Sequence, residues 1–202
     1  MSKSDKQIDK EESIRSDWKK DVTLYIHDLV YMLAVVLILF LLIFRIIVVS
    51  GPSMKMTLVD GDYLLLLGNS FYRNPQRGDI IVASKESFDH GKPIVKRVIA
   101  TEGQIVDMDF RNGIVYVDGL PLEEDYINTA TNLDEGMLFP LIVEEGSIFV
   151  MGDNRNNSKD SRSPEIGLVD TREVLGKVIF LMMPGTDGNS LPRDYSRIGV
   201  IK

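Results

Sequence analysis

The chain has 202 residues, with 23 basic and 30 acidic side chains and a formal net charge of −7. This length suits one domain with a short extension and excludes a large multidomain enzyme. The acidic balance argues against a nucleic-acid-binding protein, which normally presents a basic face. The sequence contains no cysteine, so disulfide bonds, zinc–thiolate sites and thiol nucleophiles are excluded.

An apolar segment runs from residue 29 to residue 49, and Arg45 is its single charged residue. It is 21 residues long, and a helix needs about 20 apolar residues to cross the hydrocarbon core of a bilayer. A cleaved signal peptide would have a shorter apolar region followed by small residues. The segment therefore predicts an uncleaved transmembrane helix over 29–49, with the Arg45 side chain reaching the interface.

Basic residues are concentrated before this segment. Six lysines and arginines precede it, whereas Lys55 is the only one in the twenty residues after it. Because cytoplasmic flanks are enriched in such residues, we predict a single-pass protein of the cytoplasmic membrane. Residues 1–28 would be a cytoplasmic tail, mobile over its first twenty residues, and residues 50–202 an extracytoplasmic domain. Residues 1–49 are neutral overall, so this domain carries the whole charge of −7.

Short apolar runs separated by Gly, Asn and Asp recur through residues 50–202, which is typical of β-proteins. The Asn112-Gly113 pair predicts a hairpin, and Gly176 within an apolar run predicts a bulge. Residues 120–145 are acidic and irregular, as in an inserted loop. The fold class is thus predicted to be mainly β, with one N-terminal transmembrane helix before a β-rich domain. The predicted strands are 62–67, 79–83, 94–101, 104–110, 114–117, 147–151 and 174–182.

Two short segments contain candidate reactive side chains. In SGPSMKMTL, residues 50–58, glycine and proline precede Ser53 and predict a turn that exposes its hydroxyl; an ordinary turn beside the membrane has the same composition. Lys96 lies in the apolar run IVKRVIAT, residues 94–101. Desolvation there would lower the pKa of Lys96, so that it could accept a proton. A lysine that protects a sheet edge from aggregation is the alternative.

A third segment, GDNRNNSKDSR at residues 152–162, follows a predicted strand directly, and we call it the polar loop. Its density of small polar and charged residues predicts a hydrogen-bonded loop. A calcium loop is disfavoured because Arg155 would occupy the third ligand position, where an oxygen is required. We predict no metal and no cofactor. Internal ion pairs are expected among its aspartates and arginines, Asp153, Asp160, Arg155 and Arg162.

Histidine chemistry has little support in this sequence. His90 is the only histidine after the apolar segment, so a Ser-His-Asp triad would have to use it. It lies in DHGK, a polar and glycine-containing context typical of a solvated loop. A lysine is therefore the better candidate for the general base.

Together, in this order and behind a membrane segment, the three motifs resemble those of the bacterial type I signal peptidases, membrane proteases with a Ser/Lys dyad. The resemblance covers about residues 29–183, and the polar loop is its most specific part. It implies that Ser53 is the nucleophile and that Lys96 is the general base.

The resemblance also implies roles for residues around the dyad. Ser158 would position the lysine, and Asp160 and Arg162 would form an ion pair beneath the site. The remaining implied residues support the polar loop or lie near the pockets for small substrate side chains: Asp153 and Arg155 for the loop, Met54 and Leu58 for the pockets.

Two positions depart from the family pattern. Three residues after the nucleophile the family usually has proline, and here Met56 stands there, which predicts a looser turn because proline fixes φ. Some members have a serine two residues before the nucleophile that donates to the oxyanion, and here the residue is Gly51. Because Pro52 has no N–H, the Ser53 amide would be one oxyanion donor.

The implied function is the removal of signal peptides from secretory preproteins on the outer side of the membrane, through an acyl-enzyme. The expected partners are these preproteins and membrane lipid, and no nucleic acid. The alternative is a non-catalytic relative that acts as an assembly or binding factor for surface proteins. Such a relative would be expected to lack Ser53 or Lys96, and this chain keeps both.

Overall fold

The computed structural model describes residues 3–186, 188 and 192–201, in two compact units with their boundary after Leu42. The first unit consists of the helix α1, which spans Lys3–Ile43 and whose last residue falls in the second unit. The first twenty residues were predicted to be a mobile tail, but α1 already begins at Lys3. Lysine, glutamate, arginine and glutamine are good helix formers, so a polar sequence without an apolar stripe still continues this helix.

The stretch Lys20–Ile43 of α1 is long and apolar enough to cross a membrane. The helix is shorter at its C-terminal end than the predicted span of 29–49, because it stops at Ile43 and the next five residues form a strand. This strand contains FRIIV, in which β-branched side chains favour extended backbone. A continuous apolar run does not reveal where a helix gives way to a strand.

The second unit, residues 43–202, is built from twelve strands among the described residues. In chain order they are β1 (Phe44–Val48), β2 (Tyr63–Gly68), β3 (Ile80–Ala83), β4 (Ile94–Thr101), β5 (Ile105–Asp109), β6 (Ile114–Val117), β7 (Leu120–Pro121), β8 (Leu141–Ile142), β9 (Ser147–Met151), β10 (Val169–Asp170), β11 (Val174–Met183) and β12 (Gly199–Val200). All their pairings are antiparallel.

The strands form two sheets. The larger has the order β1–β2–β11–β3–β4–β9–β10, with β12 also paired to β11, and the smaller has the order β7–β6–β5–β8. Each predicted strand is present with its ends within one residue of the prediction, and the mainly β fold class is confirmed. A register shift next to Gly176 gives the predicted bulge, and the region 120–145 contains only the two-residue strands β7 and β8.

The core of the larger sheet holds the segment that carries Ser53. Met54 and Leu58 are fully buried, and they belong to a cluster with apolar side chains of β2, β3, β4 and β11. Two further clusters lie beneath β9 and β10 and beneath the smaller sheet. The turn after β1 is therefore fixed to the same core as β4, where Lys96 lies.

Candidate active site

The structure brings Ser53 and Lys96 together although 43 positions separate them. The Lys96 Nζ lies 2.9 Å from the Ser53 Oγ, in hydrogen-bonding geometry. Ser53 belongs to the turn after β1, and Lys96 lies in β4, one residue before the pairing with β9 begins at Arg97. Only 3% of Lys96 is exposed, which supports the desolvated lysine, one of the two interpretations that the sequence left open.

Burial controls the charge of this lysine. Desolvation lowers the pKa of Lys96 to about 8, against the opposing attraction of Asp160, Glu135 and Asp153, while the positive charge of Arg162 lowers the pKa further. A substantial fraction of the amine is therefore neutral near pH 8. A neutral amine at hydrogen-bonding distance from a hydroxyl can accept its proton and activate the oxygen for attack.

The turn that carries Ser53 is held by its own backbone and by the polar loop. Within the turn, the Leu58 N–H donates to the Met54 carbonyl at 2.8 Å. From the loop, the Asn154 N–H donates to the Ser53 carbonyl at 3.0 Å, and the Asn154 side-chain amide donates to the Pro52 carbonyl at 3.0 Å. These bonds fix both sides of the peptide that presents the hydroxyl. Nothing in the sequence pattern indicates this role of Asn154.

Gly152 allows the polar loop to approach this turn. A Cβ atom at position 152 would overlap the side chain of Ser158 and the carbonyl oxygen of Ser53. The glycine is thus required by close packing, since any side chain would push the loop and the turn apart. In the sequence, Gly152 is only the first residue of the GDN motif, and nothing there explains why a glycine is needed.

Asp160 is the centre of the buried hydrogen bonds in the loop. Its carboxylate accepts from the Gly152 N–H at 3.0 Å, from the Ser158 hydroxyl at 3.0 Å, and from the Arg162 Nε at 2.8 Å. The expected ion pair between Asp160 and Arg162 is therefore present. The Ser158 hydroxyl points to Asp160, and its predicted role in positioning Lys96 stays a prediction.

Asp153 and Arg155 do not pair within the loop, contrary to the expectation of internal ion pairs. The buried Asp153 carboxylate accepts from the Arg97 Nε at 2.9 Å and Nη2 at 2.8 Å. The fully buried Arg155 pairs instead with Glu124. The two side chains face different neighbours, since Asp153 is turned towards β4 and Arg155 towards the irregular region 120–145.

Arg97 connects β4, which carries Lys96, to the turn that carries Ser53, and the sequence did not predict this role. Besides its contact with Asp153, it lies over the ring of Tyr126 at 4.0 Å from the centroid. The Thr57 hydroxyl donates to the same Asp153 carboxylate. The chain from Arg97 through Asp153 to Thr57 therefore fixes the position of β4 relative to the turn. The one sequence feature that points to this role is the presence of an arginine next to Lys96 in an apolar strand.

A cleft of about 330 Å³ opens at the dyad. It is lined by residues 47–50 at the end of β1, by residues 88, 89 and 92–96 before and within β4, and by Ser53. Three strands separate β1 from β4 in the sheet order, so the sheet must curl for both to border one cleft. Met54 and Leu58 are not among its lining residues, and their predicted proximity to substrate pockets stays a prediction.

The two positions that depart from the family pattern, Met56 and Gly51, both have a positive φ. Met56 has φ of 94°, a value that proline cannot adopt because its ring fixes φ at about −65°. The turn therefore has a different backbone from one that a proline would impose, and its predicted looseness stays a prediction. Gly51 also has φ of 94°, where glycine is favoured over any other residue. His90 is exposed, as predicted for a solvated loop.

Comparisons with known proteins agree on one family. The family model described as signal peptidase, peptidase S26 matches residues 22–183. A probable signal peptidase I-1 of Synechocystis is 39% identical over 145 residues, covering 68% of this chain and 70% of the relative. A signal peptidase I of Bacillus amyloliquefaciens is 30% identical over 194 residues, covering 91% of this chain and 93% of the relative.

A crystal structure of a signal peptidase I from Enterococcus faecalis is also similar. It matches with 34% sequence identity and a TM-score of 0.42, over 52% of this chain and 96% of that one. The extent of the family match and the identity to relatives along most of the chain decide the assignment. The chain belongs to the signal peptidase family, the serine peptidases of family S26.

Proposed function

We propose that this chain is a membrane-anchored endopeptidase that removes signal peptides from secretory preproteins with a Ser53/Lys96 dyad. Signal peptide removal is the activity of the family to which the chain belongs. The observation that carries the assignment of the dyad is the 2.9 Å contact between the Lys96 Nζ and the Ser53 Oγ, made by a buried lysine that lines the cleft.

In the proposed reaction, neutral Lys96 accepts the hydroxyl proton of Ser53 while the oxygen forms a bond to the scissile carbonyl carbon. The resulting ammonium group of Lys96 donates this proton to the leaving amine as the C–N bond breaks. A water molecule, deprotonated by Lys96, then attacks the acyl-enzyme. The ester bond to Ser53 breaks, its oxygen regains a proton from Lys96, and the signal peptide leaves with a new carboxylate.

The substrate is proposed to bind as an extended strand. Residues Ile94–Lys96 of β4 pair with β3 on one side, whereas pairing with β9 begins at Arg97, so their other side borders the cleft. An extended peptide can use such backbone groups by strand addition. Its alternate side chains then face the same wall, which suits recognition of small residues two positions apart.

The anchor determines where the reaction takes place. With Lys20–Ile43 in the bilayer, enzyme and membrane-bound preprotein share one surface, and their effective concentration rises. The distribution of basic residues favours a cytoplasmic N-terminus, so cleavage is proposed to occur on the outer side of the cytoplasmic membrane.

The test is processing of a secretory preprotein by wild type, Ser53→Ala and Lys96→Ala, each purified from membranes. Both variants are expected to lose cleavage by about a thousandfold or more, because the two groups act as one unit. Ser70→Ala changes an exposed serine and Arg172→Ala an arginine whose side chain is 87% exposed, and both should cleave at the wild-type rate.

Membrane insertion and resistance to proteolysis should be the same in all five proteins, which excludes misfolding as the cause. Processing at the wild-type rate by either dyad variant would contradict the assignment of the dyad. A folded wild type that binds preproteins but leaves them intact would instead favour the non-catalytic binding factor.

A further inference from the structure

The segment after β11 reaches back to the turn that carries Ser53, through Arg197. Arg197 lies in a short 3-10 turn, Tyr195–Arg197, which is followed by β12. The family match ends at residue 183, so neither the family model nor any motif noted in the sequence includes this arginine. Its side chain is 24% exposed, and its partner, Asp62, is fully buried.

Asp62 connects four parts of the domain. One carboxylate oxygen accepts from the Gly185 N–H at 2.6 Å and from the Arg197 Nη1 at 3.0 Å. The other accepts from the Val59 N–H at 2.8 Å and from the Arg197 Nη2 at 2.7 Å. The Asp62 carbonyl accepts from Val49, just after β1, at 2.9 Å. Arg197 thus supplies half of these donors to the carboxylate and its counter-charge.

Arg197 also contacts the turn that carries Ser53 directly. The Arg197 Nη2 donates to the carbonyl of Thr57 at 3.3 Å, and the Thr57 hydroxyl donates to Asp153. Thr57 is therefore held from two sides, by the Arg97–Asp153 pair and by Arg197. The guanidinium group is charged, and a hydrogen bond from a charged donor is stronger than one between neutral groups.

We infer that Arg197 is a positioning residue, which holds the Ser53 turn in its reactive geometry through Asp62 and the Thr57 carbonyl. This inference rests on the proposed function of the dyad. The segment 192–201 is then part of the catalytic unit, and not only a C-terminal extension. Small displacements of a nucleophile from its attack geometry reduce the rate strongly, so the effect is expected in kcat more than in KM.

The close packing behind the turn supports the inference. A Cβ atom at Gly185 would overlap the Asp60 carbonyl oxygen, so the chain leaving β11 passes against the backbone of residues 60–62. Beyond Arg197, β12 pairs with Phe180 and Leu181 of β11. Arg197 is therefore carried by a segment fixed on the far side as well, and can act as a rigid support.

The experiment compares Arg197→Ala, Arg197→Lys and the control Arg172→Ala in the full-length protein. The first readout is amide hydrogen exchange over residues 53–58, which does not depend on peptidase activity. Arg197→Ala should increase this exchange by about tenfold relative to the β5–β6 hairpin, because local opening follows the loss of fixed hydrogen bonds. Arg172→Ala, at an exposed pair with Asp170, should leave it unchanged.

The second readout is preprotein cleavage. Arg197→Ala should lower kcat by about tenfold, with KM within about twofold of wild type. Arg197→Lys keeps the charge beside Asp62 but not the planar fork of donors, so both effects should be smaller. If the arginine variants lower the unfolding temperature but change neither the exchange at 53–58 nor kcat, the inference is wrong. Failure of wild type to cleave would refute the proposed function and leave the exchange comparison valid.

Discussion

At the scale of single residues, the charge state of Lys96 sets the pH at which the proposed reaction runs. Burial lowers the pKa of Lys96 to about 8, and the reactive form is the neutral one. The kcat/KM for preprotein cleavage should therefore rise with pH through about 8 and level off above it. Below that value it should fall by about tenfold per pH unit. A pH–rate profile of the full-length protein in detergent measures this.

Substitution of a charged neighbour of Lys96 tests whether this profile reports the pKa of Lys96. The negative charge of Glu135 raises the pKa of Lys96, so Glu135→Gln should shift the limb of the profile to lower pH. Glu123→Gln, at an exposed position of the same region, should not shift it. An inflection at about 10.4, the ordinary pKa of lysine, would show that Lys96 is not desolvated in the active enzyme.

Met56 is a residue whose conformation conflicts with its type. Its φ of 94° lies where a side chain costs about 1–2 kcal/mol, and the residue is 68% exposed. Met56→Gly should therefore stabilise the protein by about 1 kcal/mol, after the entropy of glycine in the unfolded chain is subtracted. Met56→Pro should destabilise it by about 3 kcal/mol, because proline cannot adopt this φ.

Thermal unfolding of these variants measures the difference, and the adjacent Lys55→Gly is the control. Glycine at position 55 gains no release from a positive φ, so its flexibility in the unfolded chain should lower the unfolding temperature. Equal effects of glycine at positions 55 and 56 would contradict a strained backbone at Met56.

At the scale of elements, the irregular segment 124–137 encloses the polar loop. The Asn156 side-chain oxygen accepts from the N–H groups of Asn132 and Leu133, each at 3.1 Å. The Arg162 Nη1 donates to the Leu133 carbonyl at 3.1 Å. The fully buried Arg155 pairs with Glu124, whose side chain is 6% exposed. A segment without regular strands is thus ordered by the loop that it covers.

Removing the Glu124 carboxylate should therefore destabilise the whole loop. Glu124→Ala leaves the buried Arg155 without its counter-charge, which typically costs about 3–5 kcal/mol. Glu123→Ala, one residue earlier and exposed, should change stability by about 0.5 kcal/mol or less. Chemical denaturation of both variants measures the difference. Similar values for the two glutamates would mean that the pair with Arg155 does not hold the loop.

The elements differ in how far the sequence predicts them, for physical reasons. The strands follow from local alternation, so β4, β6 and β9 were predicted with their observed ends. The end of α1 was not, because the apolar run continues without a break from the helix into β1. The ion pair between Arg155 and Glu124 was not predicted. The pairing of charges that are distant in the sequence depends on tertiary packing and leaves no periodic pattern.

The same distinction applies to the candidate site. Ser53 and Lys96 could be predicted because their motifs, together with the polar loop, resemble those of a known family, whereas composition alone also allowed an ordinary turn and an edge-strand lysine. Arg197 was missed because an arginine in a polar segment has no local feature that distinguishes it from a surface residue. Its importance depends on Asp62, which is 135 positions away in the sequence.

At the scale of the whole molecule, the chain divides into a neutral N-terminal part and an acidic β domain. Residues 1–49 have no net charge, and residues 50–202 carry −7. The mean hydropathy of the sequence is close to zero because the apolar helix and the charged domain offset each other. This division gives the anchor and the proposed peptidase separate physical environments, and it makes the orientation in the membrane decisive for function.

The orientation can be tested sharply because the chain has no cysteine. Ser4→Cys and Ser70→Cys each introduce a single thiol, before α1 enters the apolar stretch and in an exposed position after β2. A membrane-impermeant maleimide should label Ser70→Cys in intact spheroplasts, and Ser4→Cys only after detergent is added, because the basic flank favours the cytoplasm. The wild-type chain gives no background. The reverse pattern would place the β domain in the cytoplasm, where exported preproteins could not reach the dyad after translocation.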